Sequence, residues 1–520
     1  MTKQSFIRGT MILLAAGLLN RILGFVPRIT LPRVVGAEGV GLYQLGYPLL
    51  VVLLTVITGG IPLAVAKLVA AAESEGNERK AKDVLRIALA LAVLLAVLFT
   101  GGLLLGARWL STEVLNDDRV YYTLHAMSPM LLVVGVSAVF RGYFQGRQNM
   151  IPTALSQTAE TLVRIVAMLA LAYALLPYGI PYAAAGAMLG VTIGEVCGLA
   201  VIVFQYFRTR GAYKAFNQAT IGVGGAPRRL GASLKELLRI AVPVTGSRMV
   251  GSASYFLESV MTVKALAVAG VAVVAATTQY GALQGMVIPV LLLPGVLTYS
   301  LSVSLVPTLA EAAARGDMRL IHMRLHQSLR LALVTGAPFA VLMYVLAEPI
   351  CYFLYNDAEV GGMLKLMAPV AILLYFQGPL QATLQALDRP GTALLNTFYG
   401  AAIKLTLIYV LATQPQFGIY GVLAAINVNI ALVTILHWNS VVRLVKYYFP
   451  IGDLLKTAVV GAAAGWLAHE IYLGEWHPSP LARFLAAGFA AAAAYLVGVA
   501  AFGLIDRDDL GRLPFWKRRK

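Results

Sequence analysis

Four basic residues lie inside stretches of this sequence that are otherwise apolar enough to cross a membrane. They are Arg21, Arg164, Arg248 and Lys404. An arginine at the centre of a bilayer costs about 2.5–3.5 kcal/mol even on the mildest insertion scales, so its presence there calls for a partner or a function. Arg and Lys are the usual partners of phosphate groups, and Arg can bind them through two parallel hydrogen bonds. These residue types therefore favour a buried site for an anion.

Depth along the helices brings these cations to one level. A rise of about 1.5 Å per residue places all four about 15–20 Å deep, near the middle of the hydrocarbon core. Arg28 stands seven residues after Arg21, on the same helix face and about 10 Å further out, which suits an outer vestibule. The alternative is structural, with salt bridges or hydrogen bonds to helix carbonyls holding the bundle. The scarcity of buried carboxylates favours the anion-binding cavity.

Two carboxylates reach a similar depth. Glu160 precedes Arg164 by four residues, which predicts an ion pair along one helix. Glu195 is either a counter-charge, a cation site or a satisfied core carboxylate, and its sequence context does not decide between them.

Polar residues with helical spacing form a second candidate surface. Gln377 and Gln381 lie one turn apart, and Arg141 aligns with Gln381 in the internal repeat described below. Such a stripe either joins helices by hydrogen bonds or forms a cavity wall that binds sugar hydroxyls. We favour the wall.

The composition requires a membrane protein. Of 520 residues, 59% are hydrophobic and 12% are charged, and the mean hydropathy is +0.77, which lies far outside the range of soluble domains. The net charge of +17 falls mostly in short loops between apolar runs, as the positive-inside rule requires, so no nucleic acid partner is expected. Cys197 and Cys351 lack disulfide or metal-ligand spacing. We expect no metal and no cofactor.

Windows of about twenty apolar residues predict an all-α polytopic fold with about fourteen spans. Basic residues concentrate after the even-numbered spans, which places both termini in the cytoplasm. The predicted spans 1 to 14 are 9–31, 41–70, 84–107, 121–143, 154–176, 182–206, 236–257, 281–308, 328–354, 364–386, 391–412, 417–440, 453–473 and 481–505.

An internal repeat divides the chain. Residues 20–24 resemble residues 247–251, and Arg164 matches Lys404 at an offset of 240 residues. The change of offset along the chain predicts an insertion near residues 260–278, as an outer loop or interfacial segment. Two pseudo-symmetric six-helix lobes with two further helices follow from this pattern. The predicted parts are an N-terminal lobe at 1–208, a cytoplasmic linker at 209–235, a C-terminal lobe at 236–445, and two helices with a basic cytoplasmic tail at 446–520.

Motifs for catalysis are missing from the sequence. It contains no phosphate-binding loop of the NTPase type, no nucleophile elbow and no paired-histidine motif, so we do not expect an enzyme. A membrane-embedded glycosyl- or acyltransferase is kept as an alternative, and it would form product from a lipid-linked substrate in detergent.

Three motifs carry a resemblance to a known family: NRILGF at 20–25, GAEGVGLY at 36–43 and GIPLAVAKLVA at 60–70. With them the chain resembles the polysaccharide transport branch of the multidrug/oligosaccharidyl-lipid/polysaccharide exporter superfamily. Lipid II flippases of that superfamily have a similar first-helix motif whose arginine is a functional cavity residue and maps onto Arg21. They usually continue with Arg-Asp, where this chain has Pro27-Arg28.

The resemblance implies a flippase for undecaprenyl-diphosphate-linked peptidoglycan precursor, particularly for spore cortex, in the bacterial cytoplasmic membrane. It also implies that the last two helices form a groove for the polyprenyl tail. Membrane lipids and cell-wall synthases are the further partners expected. A multidrug cation antiporter on the same fold and a non-transporting scaffold for cell-wall synthesis are the alternatives.

Overall fold

The computed structural model describes residues 6–218 and 230–504. These residues form nineteen α-helices and four short π- or 3-10-helical stretches, and they contain no β-strand. The helices are α1 Phe6–Leu23, α2 Phe25–Thr58, α3 Ile61–Ser74, α4 Glu78–Trp109, α5 Val120–Gly146, α6 Ile151–Leu175, α7 Ile180–Gln218, α8 Leu230–Val268, α9 Val273–Gly281, α10 Ile288–Leu292, α11 Gly295–Ala314, α12 Met318–Val345, α13 Ala347–Tyr355, α14 Gly361–Met367, α15 Ala371–Ala386, α16 Pro390–Ala412, α17 Ile419–Val445, α18 Ile451–Leu473 and α19 Pro480–Ala501.

The predicted all-α polytopic membrane fold is confirmed. Eleven segments of the described chain are long and apolar enough to cross a membrane. One of them, Ala15–Ser74, contains predicted span 2 and the part of predicted span 1 from residue 15 onward. Predicted spans 7 and 8 correspond to α8 and to the run from α9 to α11.

Glycines set the breaks in the first 74 residues. α1 ends just before Gly24, and α3 begins just after the pair Gly59 and Gly60. Inside α2, Gly36 has φ 68° and ψ 179°, a conformation that residues with a Cβ rarely adopt. The boundary between predicted spans 1 and 2 is therefore a sharp break at Gly36 rather than a loop.

By packing, the chain divides into two compact units, Met1–Gly285 and Met286–Lys520. α8 and α9 belong to the first unit, whereas the repeat assigns them to the C-terminal lobe, so the lobes of the repeat stay a prediction. The predicted linker starts in α7 and ends in α8. Its residues 219–229, and residues 505–520 of the predicted basic tail, lie outside the described residues.

The predicted insertion forms the end of α8, a turn at Gly270 and the short helix α9. α9 packs against α2 at very close range. A Cβ added to Gly41 would lie 2.1 Å from the Thr277 carbonyl oxygen, and one added to Gly281 would lie 2.1 Å from the Ala37 carbonyl oxygen. Two glycines therefore allow the backbones of these helices to touch.

A polar cluster joins the same helices to the start of α5. Asp117 is buried and accepts hydrogen bonds from Arg119 Nη2 at 2.7 Å and from Thr277 Oγ1 at 2.6 Å. Arg119 also pairs with Glu38 on α2. The hydrogen bond to Asp117 raises the pKa of Arg119 above its ordinary value, so this guanidinium stays charged.

We expect Asp117→Ala to lower the free energy of unfolding by about 3 kcal/mol, because it leaves the charged groups around it without their main acceptor. Thermal unfolding of the purified protein, followed by size-exclusion chromatography, measures the change. Asp118→Ala is the matched control, since Asp118 is exposed. Equal melting temperatures for the two variants would contradict the structural role of Asp117.

In the second unit, α18 and α19 pack on each other and on α12. The Tyr495 hydroxyl donates to the Val334 carbonyl oxygen at 2.9 Å. A Cβ on Gly465 would lie 2.5 Å from Val341 Cγ1, and one on Gly498 would lie 2.5 Å from Val460 Cγ1. Small residues therefore serve helix packing here, and the groove for a polyprenyl tail stays a prediction.

Candidate functional site

A stripe of glycines along α7 creates the site. The four glycines recur every fourth residue, so they share one helix face. An added Cβ would lie 2.7 Å from the Leu171 carbonyl oxygen, 2.3 Å from Met168 Cα, 2.6 Å from Arg164 Cβ and 3.0 Å from Glu160 Cβ in turn. α6 and α7 therefore meet backbone to backbone, as small residues permit in membrane bundles. The stripe consists of Gly186, Gly190, Gly194 and Gly198.

The close approach gathers charged side chains from three helices. Arg141 Nη2 on α5 donates to Glu160 Oε2 on α6 at 2.6 Å. Arg164 Nη1 donates to Glu160 Oε1 at 3.3 Å, which confirms the predicted ion pair along α6. Glu195 on α7 lies with its Oε2 3.9 Å from Arg141 Nη2. Only 7% of each glutamate is exposed, so these contacts are shielded from bulk water.

Arg28 approaches the same region from α2. Its guanidinium lies 5.6 Å from the centre of the Phe25 ring, and the residue is exposed. Tyr43, also on α2, lies close enough to Arg28 and Arg164 to interact electrostatically with both. The charges of Arg28 and Arg164 therefore both act on Tyr43.

The structure places the other predicted cations in different surroundings. Arg21 is exposed in the last turn of α1, which packs against α6. Arg248 is exposed on α8, which belongs to the first unit. Lys404 is buried on α16 in the second unit, with 9% of the residue exposed. The meeting of all four cations at one level stays a prediction.

The glutamine stripe divides between two environments. Gln377 Nε2 on α15 donates to the Ile430 carbonyl oxygen and to Thr434 Oγ1 on α17, both at 3.1 Å. These hydrogen bonds join α15 to α17. Joining helices was the alternative role for this stripe, beside a cavity wall. Gln381 is exposed, and its role as part of a wall stays a prediction.

Two features of the first unit were not predicted from the sequence. Arg141 was expected to align with a glutamine and had no predicted carboxylate partner, although two carboxylates lie at similar depth in the next two spans. Glu258 was not predicted as a site residue, yet it is buried and accepts a hydrogen bond from Gln284 Nε2 at 2.9 Å. Predicted span 7 ends at residue 257, one residue short of this carboxylate. The position of the acidic Glu258 directly after an apolar run was the sequence signal that could have identified it.

The geometry suits an anion better than a metal ion. No group of three or more His, Cys, Asp or Glu suited to a metal occurs in the part of the chain that the structure describes. The cluster itself combines the guanidinium groups of Arg141 and Arg164 with two carboxylates, and Arg28 acts electrostatically on the same Tyr43 as Arg164. With Arg28 the cations outnumber the carboxylates, and Arg28 and Arg164 keep exposed surface. A diphosphate would find bidentate donors there.

Comparisons with known proteins identify the family of this chain. A family model described as polysaccharide biosynthesis protein matches residues 6–313. Stage V sporulation protein B of Bacillus subtilis (strain 168) is 39% identical to this chain over 520 residues, which cover 99% of this chain and 98% of that protein. The chain belongs to the polysaccharide biosynthesis protein family. The resemblance carried by the motifs in the first two predicted spans is thereby confirmed.

Other similarities connect this polysaccharide biosynthesis family member to flippases and exporters. Lipid II flippase MurJ of Bacillus subtilis (strain 168) is 27% identical over 425 residues, covering 78% of this chain and 77% of that protein. A solved structure of lipid II flippase MurJ in an inward closed conformation has a TM-score of 0.71 at 15% identity, with 96% of this chain and 100% of that chain covered.

An inward-facing multidrug resistance transporter of the MATE family and MOP superfamily has a TM-score of 0.68 at 14% identity, with 82% of this chain and 94% of that chain covered. At these identities the structural likeness shows the fold alone. It is the fold of the multidrug/oligosaccharidyl-lipid/polysaccharide exporter superfamily.

Proposed function

We propose that this protein translocates an undecaprenyl-diphosphate-linked peptidoglycan precursor, similar to lipid II, across the bacterial cytoplasmic membrane. The role in spore cortex and cell-wall synthesis belongs to the same proposal. The observation that carries it is the cluster in which Arg141 and Arg164 pair with Glu160 beside Glu195, while 29% of the Arg164 side chain stays exposed. Membership of the polysaccharide biosynthesis family and the named activity of the MurJ relatives support the lipid-linked substrate.

Alternating access provides the mechanism. The guanidinium groups bind the diphosphate, polar walls accept the sugars, and the isoprenoid tail stays in lipid while the two predicted lobes rock about the midplane. With both termini in the cytoplasm, as the basic loops predict, an inside-negative potential favours outward movement of the anion by about 2.3 kcal/mol per elementary charge per 100 mV. Cell-wall synthases are the proposed recipients of the product.

The test is translocation of a headgroup-labelled undecaprenyl-diphosphate sugar in proteoliposomes. We expect Arg164→Ala to lower the rate at least about tenfold, because it removes a charge-assisted contact to the diphosphate worth about 1.5–3 kcal/mol. Arg21→Ala, Arg28→Ala, Arg248→Ala and Lys404→Ala test the remaining predicted cations. Reconstitution levels are matched, and each variant is compared with and without an imposed potential.

Arg86→Ala is the control for loss of a surface charge, since 74% of that side chain is exposed. Movement of the lipid by the wild type and by the control, together with its loss in the Arg164 variant, supports the proposal. A wild type that moves no lipid under either condition contradicts direct flipping of this substrate. Unchanged rates in all five cation variants contradict the cationic site.

A further inference from the structure

Glu195 has an incomplete set of hydrogen bonds at the centre of the α5–α6–α7 cluster. It is 93% buried, because only 7% of the residue is exposed. Its Oε2 atom is buried and accepts no hydrogen bond from the described residues. A buried carboxylate without a donor is costly, so this atom requires a ligand.

The neighbouring arginines do not supply that ligand. The shortest contact of Arg141 goes to Glu160 at 2.6 Å, while its distance of 3.9 Å to Glu195 Oε2 exceeds hydrogen-bond length. Arg164 also donates to Glu160. Both arginines therefore donate their charge-assisted hydrogen bonds to Glu160. They leave Glu195 Oε2 with electrostatic attraction alone.

The two glutamates are neighbours in the cluster. Arg141 Nη2 lies 2.6 Å from Glu160 Oε2 and 3.9 Å from Glu195 Oε2, which brings the carboxyl groups close enough for one to donate to the other. Two ionised carboxylates only accept hydrogen bonds and repel each other, whereas a carboxyl group that keeps its proton donates to its neighbour. One proton on Glu195 therefore satisfies this contact and removes an uncompensated buried charge.

The remaining charged groups around Glu195 are known from each packed helix. They are Arg141 on α5 and Glu160 and Arg164 on α6, while Tyr43 on α2 lies beside Arg164 rather than Glu195. The side chains of Arg141 and Arg164 are 17% and 29% exposed. The cluster is therefore not sealed on every side, and its proposed proton would exchange through the exposed parts of these two arginines.

We propose that Glu160 and Glu195 together hold a single exchangeable proton, and that this proton is linked to occupancy of the adjacent anion site. When the proton leaves Glu195 for water, the cluster loses one positive charge and binds a diphosphate less tightly. By linkage, a bound diphosphate makes the proton harder to remove. The shared proton rests on the geometry above, whereas its linkage to a lipid diphosphate rests on the proposed function.

Infrared difference spectroscopy of the full chain in detergent tests the proton without any transport. We expect the wild type to show the carbonyl stretch of one buried protonated carboxyl group, which shifts in heavy water and disappears as the pH is raised. Glu195→Gln, which keeps the shape of the side chain, removes the band. Glu311→Gln is the matched control, because the Glu311 side chain is 63% exposed, and it leaves the band intact.

Binding of undecaprenyl diphosphate in micelles tests the linkage between the proton and the anion site. Acidification strengthens binding by the wild type about tenfold and by Glu195→Gln less than about twofold, within the usual range of coupling between sites. A band that persists in Glu195→Gln overturns the shared proton, as does its absence from the wild type. A band that responds to sodium rather than to pH overturns it in favour of a cation. If the proton is present but the lipid does not bind, the proposed substrate fails and the proton site stands.

Discussion

Arg141→Met is expected to abolish measurable translocation and to lower the free energy of unfolding by about 3 kcal/mol. Arg141 makes the shortest ion pair of the site, at 2.6 Å to Glu160, and 17% of its side chain is exposed. Removing one partner of a largely buried pair leaves an uncompensated charge, which costs far more than the pair itself contributes. Transport in proteoliposomes and thermal unfolding measure the two effects separately.

A second substitution distinguishes lost charge pairing from lost packing. Glu160→Gln added to Arg141→Met removes the carboxylate that lost Arg141, at the cost of the longer Arg164 contact of 3.3 Å, so part of the lost stability returns. Arg315→Met serves as the control, since Arg315 and its partner Glu311 are 70% and 63% exposed and such surface pairs contribute about 0–1 kcal/mol. A double variant no more stable than Arg141→Met would show that packing, not charge, explains the loss.

The second large effect is expected at the glycine stripe of α7. Gly190→Val should lower the free energy of unfolding by at least about 3 kcal/mol, because even its Cβ would lie 2.3 Å from Met168 Cα and N. Backbone atoms cannot move aside like the end of a flexible side chain. The two helices must separate, and the Glu160 and Glu195 contacts separate with them.

Gly102→Val is the matched control, because Gly102 lies in the membrane helix α4 and nothing comes within 4 Å of a Cβ added there. Gly190→Ala should already show most of the loss, since the clash begins at Cβ. The melting temperature of monodisperse protein is the measurement. A Gly190 variant as stable as the Gly102 variant would contradict backbone contact between α6 and α7.

The sequence predicted the fold better than the site, for physical reasons. Spans are encoded locally by runs of apolar residues, and five of the fourteen predicted windows match one helix within four residues at both ends. The mismatch in the first spans arises because Gly36 breaks α2 through its φ angle, which leaves no trace in hydropathy. The ion pair of Glu160 with Arg164 was also local, at four residues along one helix, and was predicted correctly.

Contacts between helices were harder to predict, because the residues that meet are distant in the sequence. The partner of Arg141 lies nineteen residues away on another helix, and which face each helix turns to its neighbour decides the pairing. The spacing of Gly186, Gly190, Gly194 and Gly198 was visible in the sequence and marks the face of α7 that meets α6. Combined with that face, the depths of Glu160 and Glu195 would have indicated the cluster.

The glycine stripe also determines where this protein can bend. Helices in backbone contact over four successive turns cannot slide or tilt apart without exposing the contact surface between them. We therefore expect α6 and α7 to move as one rigid body. Bending in the first unit is then expected at the helix breaks at Gly24, Gly36 and Gly59. Spectroscopic labels attached to α6 and α7 should report a single unchanging separation throughout a transport cycle, while labels on either side of Gly36 should report at least two.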